Sequence, residues 1–297
     1  MRRDGPFDVV HGYLALPSGL AAAMAGRRLN IPSVVTFDSG EFVAVPDIGY
    51  GLQLRVRHRF AVWTASRLAT RATVCTHYQE QLARAHRVGP VVIPMGVDTS
   101  RFPLEPSDPV SDRGTARPVR QQQPPRLLHV ASLNAVKDQF TLLNALQRVE
   151  NGHLDIVGED TLRGAVAIHA ERLGVGSRVT FHGFQPTSML PAFYRRADLF
   201  VLSSRHEAAN VAVLEAAVCG VPAVGTHVGY LADWSRERAV TVPPGDPVAL
   251  AGAINSLLAD PDRRQRLASA ARSWALAHDA DWTARTFEEL YRALLNP

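Results

Sequence analysis

The sequence predicts an α/β protein of two lobes, each a parallel sheet with helices on both faces. Three observations carry that expectation. Short apolar runs alternate with longer helical patterns, the rhythm of a strand–helix–strand chain. The segment 106–125 interrupts the rhythm: it holds Pro, Ser, Asp, Gly, Arg and the run Gln121-Gln122-Gln123, has no apolar periodicity, and reads as a linker. The rhythm then restarts at Arg126. The expected organisation is therefore a first lobe over 1–105, a linker over 106–125 and a second lobe over 126–277, with 278–297 as a final helix.

In the first lobe, Asp8 to Gly12 reads as a strand, Ser18 to Leu29 as an alanine-rich helix and Pro32 to Phe37 as a second strand. A helix is expected from about Leu52 to Ala69, a strand over Ala72 to Thr76, a helix over Tyr78 to His86 and a strand over Val91 to Pro94. In the second lobe the expected strands are Leu127–Ala131, His153–Val157, Arg178–Phe181, Leu199–Leu202 and Pro222–Gly225. Between them lie helical patterns at Phe140–Val149, Thr161–Leu173, Met189–Arg195 and Val211–Cys219. Pro247–Leu258 is a further helix, followed by a long helical tail to Leu295. Two such Rossmann-like lobes imply a cleft at their junction, the usual place for a ligand.

Composition bounds the class. With 297 residues, 46% apolar and 20% charged, the chain is an ordinary globular one that can bury a sizeable core. No run of eighteen apolar residues suits a membrane span, and Met1 to Pro6 does not make a signal peptide. Cys75 and Cys219 each lie in an apolar run, which fits buried thiols in a reducing, cytoplasmic compartment. The net charge is +4 and the pI about 9.4. The basic excess is arginine, and Lys137 is the single lysine. A compact ammonium and a planar guanidinium are not interchangeable at a phosphate, so the one lysine draws notice.

The richest stretch runs from Leu202 to Pro222. A strand ends, a loop follows, and a helix opens near Asn210, offering backbone N–H groups and a positive dipole end to an anion. Glu207 precedes that helix and Glu215 lies about a turn and a half inside it. A loop carboxylate suits sugar hydroxyls, and a second can grip a ribose. Spacing alone is weak, because two glutamates eight apart often occur on solvated helices.

The flanks carry more. The stretch resembles the E-x7-E motif of retaining GT-B glycosyltransferases, and most of all glycosyltransferase family 4. His129 to Asp138 resembles that family's phosphate loop, Val179 to Phe184 its strand beside the nucleobase, and Tyr194 to Val201 and Val242 to Pro247 follow in its order. The tail through Trp282 and Tyr291 resembles the family's terminal helix, which crosses back to the first lobe. The resemblance covers 126–297 closely and 1–105 more loosely.

It implies a nucleoside-diphosphate sugar as co-substrate and no metal cofactor. Glu207 would contact the donor sugar and Glu215 the ribose. Lys137 would neutralise the departing diphosphate. Asn210 and Val211 would offer backbone groups to phosphate or sugar, and Gly183, Phe184 and Gln185 would border the base. The acceptor is left open between a glycan, a lipid-linked molecule and a small molecule.

Three departures from the family pattern stand out. Ser132 sits where an arginine is usual, which removes one of two phosphate cations. Asp38 sits where many members carry a histidine near the reaction centre. It reads equally as a hydroxyl-binding catalytic carboxylate or as a turn residue. Finally, the chain begins at what resembles the middle of the first lobe, without the glycine-rich loop. That reading leaves a fragment, a wrong start and a shortened protein all open. A nucleotide-sugar epimerase of the same fold and a catalytically inactive donor-binding fragment are the alternatives to a transferase.

Other signals are weaker. Arg55, Arg57, Arg59, Arg67 and Arg71 cluster on or near one helix with Phe60, Val62 and Trp63. The simpler reading is a surface helix whose aromatic face is buried. The alternative is peripheral contact of the basic 55–71 helix with the inner face of a membrane. No nucleic-acid motif is present. His77, His182, His206 and His227 lack metal-ligand spacing, and His11, at the end of the first strand, reads either as a cleft-facing residue or, more simply, as a satisfied structural one.

Overall fold

The computed structural model describes residues 7–102 and 124–296. The expected linker, 106–125, lies outside them except for Pro124 and Pro125. The described residues form two compact units. The first comprises those of Met1–Met95, Glu207–Ala209 and Ala280–Pro297, and the second those of Gly96–His206 and Asn210–Asp279.

The first unit runs β1 (Val10–Tyr13), α1 (Leu20–Leu29), β2 (Ser33–Phe37), α2 (Val56–Leu68), β3 (Arg71–Val74), α3 (His77–Ala85) and β4 (Val91–Val92). Its sheet is parallel, in the order β1-β2-β3-β4. β2 pairs on both sides, Val35 facing Gly12 of β1 and Ala72 of β3, and every residue of β2 is buried. A strand covered on both faces needs a near-continuous apolar run, which Val34, Val35 and Phe37 supply around the hydrogen-bonded Thr36. Val35, Phe37, Phe42, Val62, Val74 and Ala83 form the core. The Thr76 side chain caps α3 by accepting from the Gln79 amide at 3.1 Å.

The second unit runs β5 (Arg126–Val130), α4 (Gln139–Leu146), β6 (His153–Val157), α5 (Ala165–Arg172), β7 (Val179–Phe181), α6 (Leu190–Arg196), β8 (Leu199–Leu202) and α7 (Val211–Val218). It continues through β9 (Ala223–Thr226), α8 (Gly229–Asp233), β10 (Ala239–Val242), α9 (Pro247–Ala259) and α10 (Pro261–Ala277). Its six parallel strands lie in the order β10-β9-β8-β5-β6-β7. Read from β7, that is the doubly wound order 3-2-1-4-5-6, in which the chain reverses direction between β5 and β8. Leu127, Leu154, Ile156, Leu199 and Val201 of the sheet pack with Leu142, Leu146 and Leu250 of the helices in one core.

The last helix, α11 (Ala280–Leu295), belongs to the first unit. Thr283 Oγ1 donates to the Pro94 carbonyl at 2.8 Å, and Tyr291 Oη lies 2.6 Å from His11 Nδ1. His11 Nε2 meets Thr36 Oγ1 at 2.7 Å, and burial holds the ring at a pKa of about 4, so His11 is a satisfied structural residue.

The helical tail comprises two helices, α10 and α11, separated at His278 and Asp279, so the final helix expected over 278–297 spans Ala280–Leu295. Two expectations need correction. The strand β10 and the short α8 before it were not foreseen, because only four residues of β10 follow a charged stretch, Arg236-Glu237-Arg238. The helix expected from Leu52 begins at Val56. Gly49 and Gly51 take φ of +64° and +105°, so Leu52–Leu54 makes only a tight turn.

Candidate functional site

In a doubly wound sheet, ligands bind beyond the C-terminal ends of the strands where the order reverses. Here those ends are the segments after β5 and β8, which contain Ser132, Lys137 and Asn210. His129, at 0% exposure, ties the two strands: its Nδ1 donates to the Val201 carbonyl at 2.9 Å. Its Nε2 then accepts from Gln139 Nε2 at 3.1 Å, and the same amide donates to the Ser132 carbonyl at 3.1 Å. Ser132 itself is exposed.

The loop that follows is fixed by its own polar side chains. Asn134 Oδ1 accepts from the amides of Val136 and Lys137, both at 3.0 Å. Asp138, at φ +47°, caps α4 by accepting from the Thr141 amide at 3.2 Å and the Thr141 hydroxyl at 2.7 Å. Two bonds join this loop to the segment after β8. The Arg205 amide donates to the Val136 carbonyl at 2.7 Å, and Ser203 Oγ donates to the Lys137 carbonyl at 2.8 Å. The backbone of Lys137 is thus pinned between the two halves of the sheet.

α7 opens beside it. Asn210 adopts φ +80° and its Oδ1 accepts from the Val213 amide at 3.3 Å. Val211, the first helical residue, is 37% exposed, where the first-turn amides have no intrahelical acceptor. One turn on, Glu215 Oε2 accepts from Tyr194 Oη at 2.6 Å. Tyr194 is fully buried, with the rings of Phe102 and Phe200 each 6.1 Å from its own. Burial pushes the Glu215 pKa up, and the Tyr194 bond works against that rise. Burial, then the Glu215 charge, push Tyr194 well above the ordinary phenol range, so it stays a donor.

Beyond β6 and β7 the Gly158 amide donates to the Gly183 carbonyl at 2.9 Å. Gly183 takes φ +64°, Gln185 Nε2 donates to the His182 carbonyl at 2.9 Å, and Phe184 is 75% exposed. Gly158 takes φ +153°, and a Cβ there would lie 2.0 Å from the Ala131 carbonyl oxygen. This glycine lets the ends of β5 and β6 approach closely. Ser132, Lys137, Gly183, Phe184, Gln185, Asn210, Val211 and Glu215 therefore all belong to the segments at one end of one sheet.

The first unit holds an acidic group. Asp38 follows β2, and its neighbour Glu41 is buried, accepting from the amides of Ala15 at 3.1 Å and Ser39 at 2.7 Å. Burial raises Asp38 to a pKa of about 6, helped by the charge of Glu207 and opposed by a hydrogen bond with Cys75. The Cys75 thiol is pushed well above its usual range by burial, and then by Asp38. Glu207 is 8% exposed, and the Thr76 hydroxyl holds the next residue by donating to the Ala208 carbonyl at 2.7 Å. Tyr50 is raised by burial and by the charges of Glu207, Glu41 and Asp38. A carboxyl poised near neutrality suits proton transfer or a hydroxyl contact.

Sequence reasoning singled out Asp38 and Glu207. It missed Glu41, Tyr50 and Cys75 as their neighbours, and Tyr194 as the partner of Glu215. Glu41 had a signal, the cluster Asp38-Ser39-Gly40-Glu41, whereas Tyr194 had none. Among the described residues no group of three or more His, Cys, Asp or Glu side chains is placed to hold a metal ion.

Residues 113–274, more than half of the chain, match the family model described as glycosyl transferases group 1. The chain belongs to this family. Residues 1–96 match a glycosyl transferase 4-like domain. The D-inositol 3-phosphate glycosyltransferase of Xylanimonas cellulosilytica is 29% identical, over 98% of this chain and 73% of its own length. The glycogen synthase of Mycobacterium tuberculosis is 29% identical over 93% of this chain and 66% of its own. The chain thus spans between 66% and 73% of the length of these two relatives.

Solved structures agree on the fold. Sucrose-phosphate synthase from Thermosynechococcus elongatus superposes with a TM-score of 0.80 at 25% identity, covering 98% of this chain and 74% of that one. Anabaena HepE in complex with UDP and glucose gives 0.77 at 21%, covering 97% and 78%. The fold is that of GT-B glycosyltransferases, with two parallel sheets.

Proposed function

We propose that this glycosyltransferase moves a hexose-type sugar from a nucleoside-diphosphate sugar to an acceptor hydroxyl with retention at the anomeric carbon. One observation carries the donor assignment: the strand order reverses between β5 and β8, and the segments holding Lys137 and Asn210 are hydrogen-bonded together there. A lysine from one of these segments and the helix N-terminus that closes the other together suit the stabilisation of a departing diphosphate.

In this reading Lys137 and the backbone at Asn210 and Val211 bind the diphosphate, and Glu215, oriented by Tyr194, binds the ribose. Gly183, Phe184 and Gln185 border the base. Arg205, whose amide is bonded to the Lys137 loop, supplies the cation that Ser132 does not. The acceptor oxygen bonds to the anomeric carbon as the bond to the diphosphate oxygen breaks. The acceptor proton passes to that leaving oxygen on the same face. Glu207 contacts the donor sugar and Asp38 orients the acceptor hydroxyl. Fixed protein charges then do the work that a divalent cation does elsewhere, so no metal is required.

Calorimetry with UDP-glucose and GDP-mannose, on wild type, Glu215→Ala and Lys137→Ala, tests the site. At least one donor is expected to bind wild type. Each variant is expected to weaken it by roughly tenfold or more, about 1.4 kcal/mol. Unchanged affinity in both variants would refute the assigned roles. Epimerised donor appearing without an acceptor would overturn transfer, and a product of inverted anomeric configuration would overturn retention.

A further inference from the structure

The outer face of α2 corrects the simpler sequence reading, because its aromatic side chains are not buried. Val56 is 78% exposed, Phe60 65% and Trp63 50%. They recur at four- and three-residue intervals, so they share one stripe of the helix. The Phe60 and Trp63 rings lie 5.7 Å apart at 29°, side by side on that stripe. The opposite face already anchors the helix in the first unit through Val62 at 3% exposure and Ala65 at 0%. α2 is therefore apolar on two faces, and among the described residues only the inner one is buried.

Charge along α2 and its immediate flanks is of one sign. From Ile48 to Gln79 there is no Asp or Glu, while Arg occurs at 55, 57, 59, 67 and 71. All five of those arginines are exposed. None makes an ion pair among the described residues. Arg27 of α1 adds a further cation, donating to the Leu68 carbonyl at 3.1 Å at the end of α2. Beside the stripe lies an open cavity of about 400 Å³ lined in part by Val56, Arg59, Phe60, Trp63 and His86.

We propose that this face of α2 docks on the surface of an anionic lipid bilayer, with Phe60 and Trp63 entering the interface and the arginines meeting the headgroups. Charge complementarity selects this occupant. Exposed aromatic and aliphatic side chains gain by leaving water, and a tryptophan ring sits well at the boundary of lipid and water. Arginines near a negative membrane surface add attraction that decays within a Debye length. A second copy of the chain would bring another acid-free arginine face against this one, and like charges oppose that pairing. A nucleic acid would satisfy the arginines but not the aliphatic Val56. No helix among the described residues is long and apolar enough to cross a membrane. This inference does not depend on the donor site.

Co-sedimentation of the full chain with vesicles tests it. Vesicles of phosphatidylcholine mixed with phosphatidylglycerol are compared with phosphatidylcholine alone, for wild type, a Phe60→Ser/Trp63→Ser double variant and an Arg57→Gln/Arg59→Gln/Arg67→Gln triple variant. Circular dichroism checks that each variant folds, and because the altered side chains are exposed, folding is expected. Wild type is expected to bind the mixed vesicles and not the neutral ones, and each variant to lose about tenfold or more in partitioning. Wild-type chain that stays in solution with mixed vesicles overturns the proposal. Binding that survives in the aromatic variant also overturns it, because that would be adsorption of a basic protein by charge alone. A wild-type dimer that the aromatic variant dissolves overturns it in favour of self-association.

Discussion

Glu215 and Asp38 are both carboxylates in partly dry surroundings, and their partners give them different work. The Tyr194 hydroxyl fixes one oxygen of Glu215 at 2.6 Å, and the buried rings of Phe102 and Phe200 pack near Tyr194. Tyr194→Phe keeps the ring and removes the donor. The expected result is a donor KM raised roughly three- to tenfold with kcat little changed, and a stability loss of about 1–2 kcal/mol. Equal KM values for the two proteins would show that Tyr194 does not position Glu215. Asp38 has its folded-state pKa raised to about 6, so its protonated form is the one the fold favours. Its stabilising contribution is complete below the unfolded value near 3.8 and is lost as pH rises through about 6. Asp38→Asn is therefore expected to match wild type in stability near pH 4. Above about pH 7 it is expected to exceed wild type by on the order of 1–2 kcal/mol, measured by urea titration. If the ionised form orients the acceptor, wild-type kcat/KM also falls below about pH 6, and Asp38→Asn abolishes that limb. The sequence exposed Glu207, Glu215 and Asp38 because their types and order carry a pattern. Tyr194 stayed hidden because its partner lies 21 residues away, and only the fold sets that distance.

At the scale of elements, the strands buried on both faces were the most legible. β8 is a continuous apolar run, β2 carries Val34, Val35 and Phe37, and β6 ends on Ile156 and Val157; the expected and observed bounds of all three differ by at most one residue. β10 was not legible: at the edge of the sheet it has one neighbour, and two of its four residues are only partly buried. Its pattern is accordingly weak. The break between α10 and α11 carries no glycine or proline, and it falls where the expected final helix starts; His278 ends the first helix with its Nδ1 against the Trp274 carbonyl at 2.9 Å. The exposed stripe of α2 was misread for a different reason. Helical spacing shows which residues share a face but not which of two apolar faces meets the core. Gly158 joins two elements and gives a sharper test. A Cβ there would stand 2.0 Å from the Ala131 carbonyl, at a backbone angle of +153° that other residues rarely adopt. Gly158→Ala is expected to cost roughly 2–4 kcal/mol and to weaken donor binding, because Ala131 leads directly into the Lys137 loop. A thermal midpoint and donor affinity equal to those of wild type would show that β5 and β6 can separate without disturbing that loop.

For the whole molecule, the two compact units divide the chemistry unevenly, and ligand linkage can reveal the division. All residues assigned here to the nucleotide lie in the second unit, whereas Asp38, Glu41, Cys75 and Glu207 lie in the first. A ligand that binds only the folded protein stabilises it by RT ln(1 + [L]/Kd), about 2.7 kcal/mol at a hundred times Kd. UDP or GDP alone, without a sugar, is therefore expected to raise the midpoint of unfolding of the second unit by roughly 5–10 °C. Differential scanning calorimetry reads that shift directly. Lys137→Ala is expected to remove most of it, and Asp38→Asn to leave it intact, because the base, ribose and diphosphate contacts do not involve the acidic group. The salt response separates the causes further. A lysine–diphosphate contact near the surface weakens as ionic strength rises, so the shift shrinks in high salt for wild type and changes little for Lys137→Ala. A full shift in Lys137→Ala would move the diphosphate elsewhere on the sheet, with Arg205 as the next cation to remove. A shift lost in Asp38→Asn would mean that the acidic group takes part in holding the nucleotide.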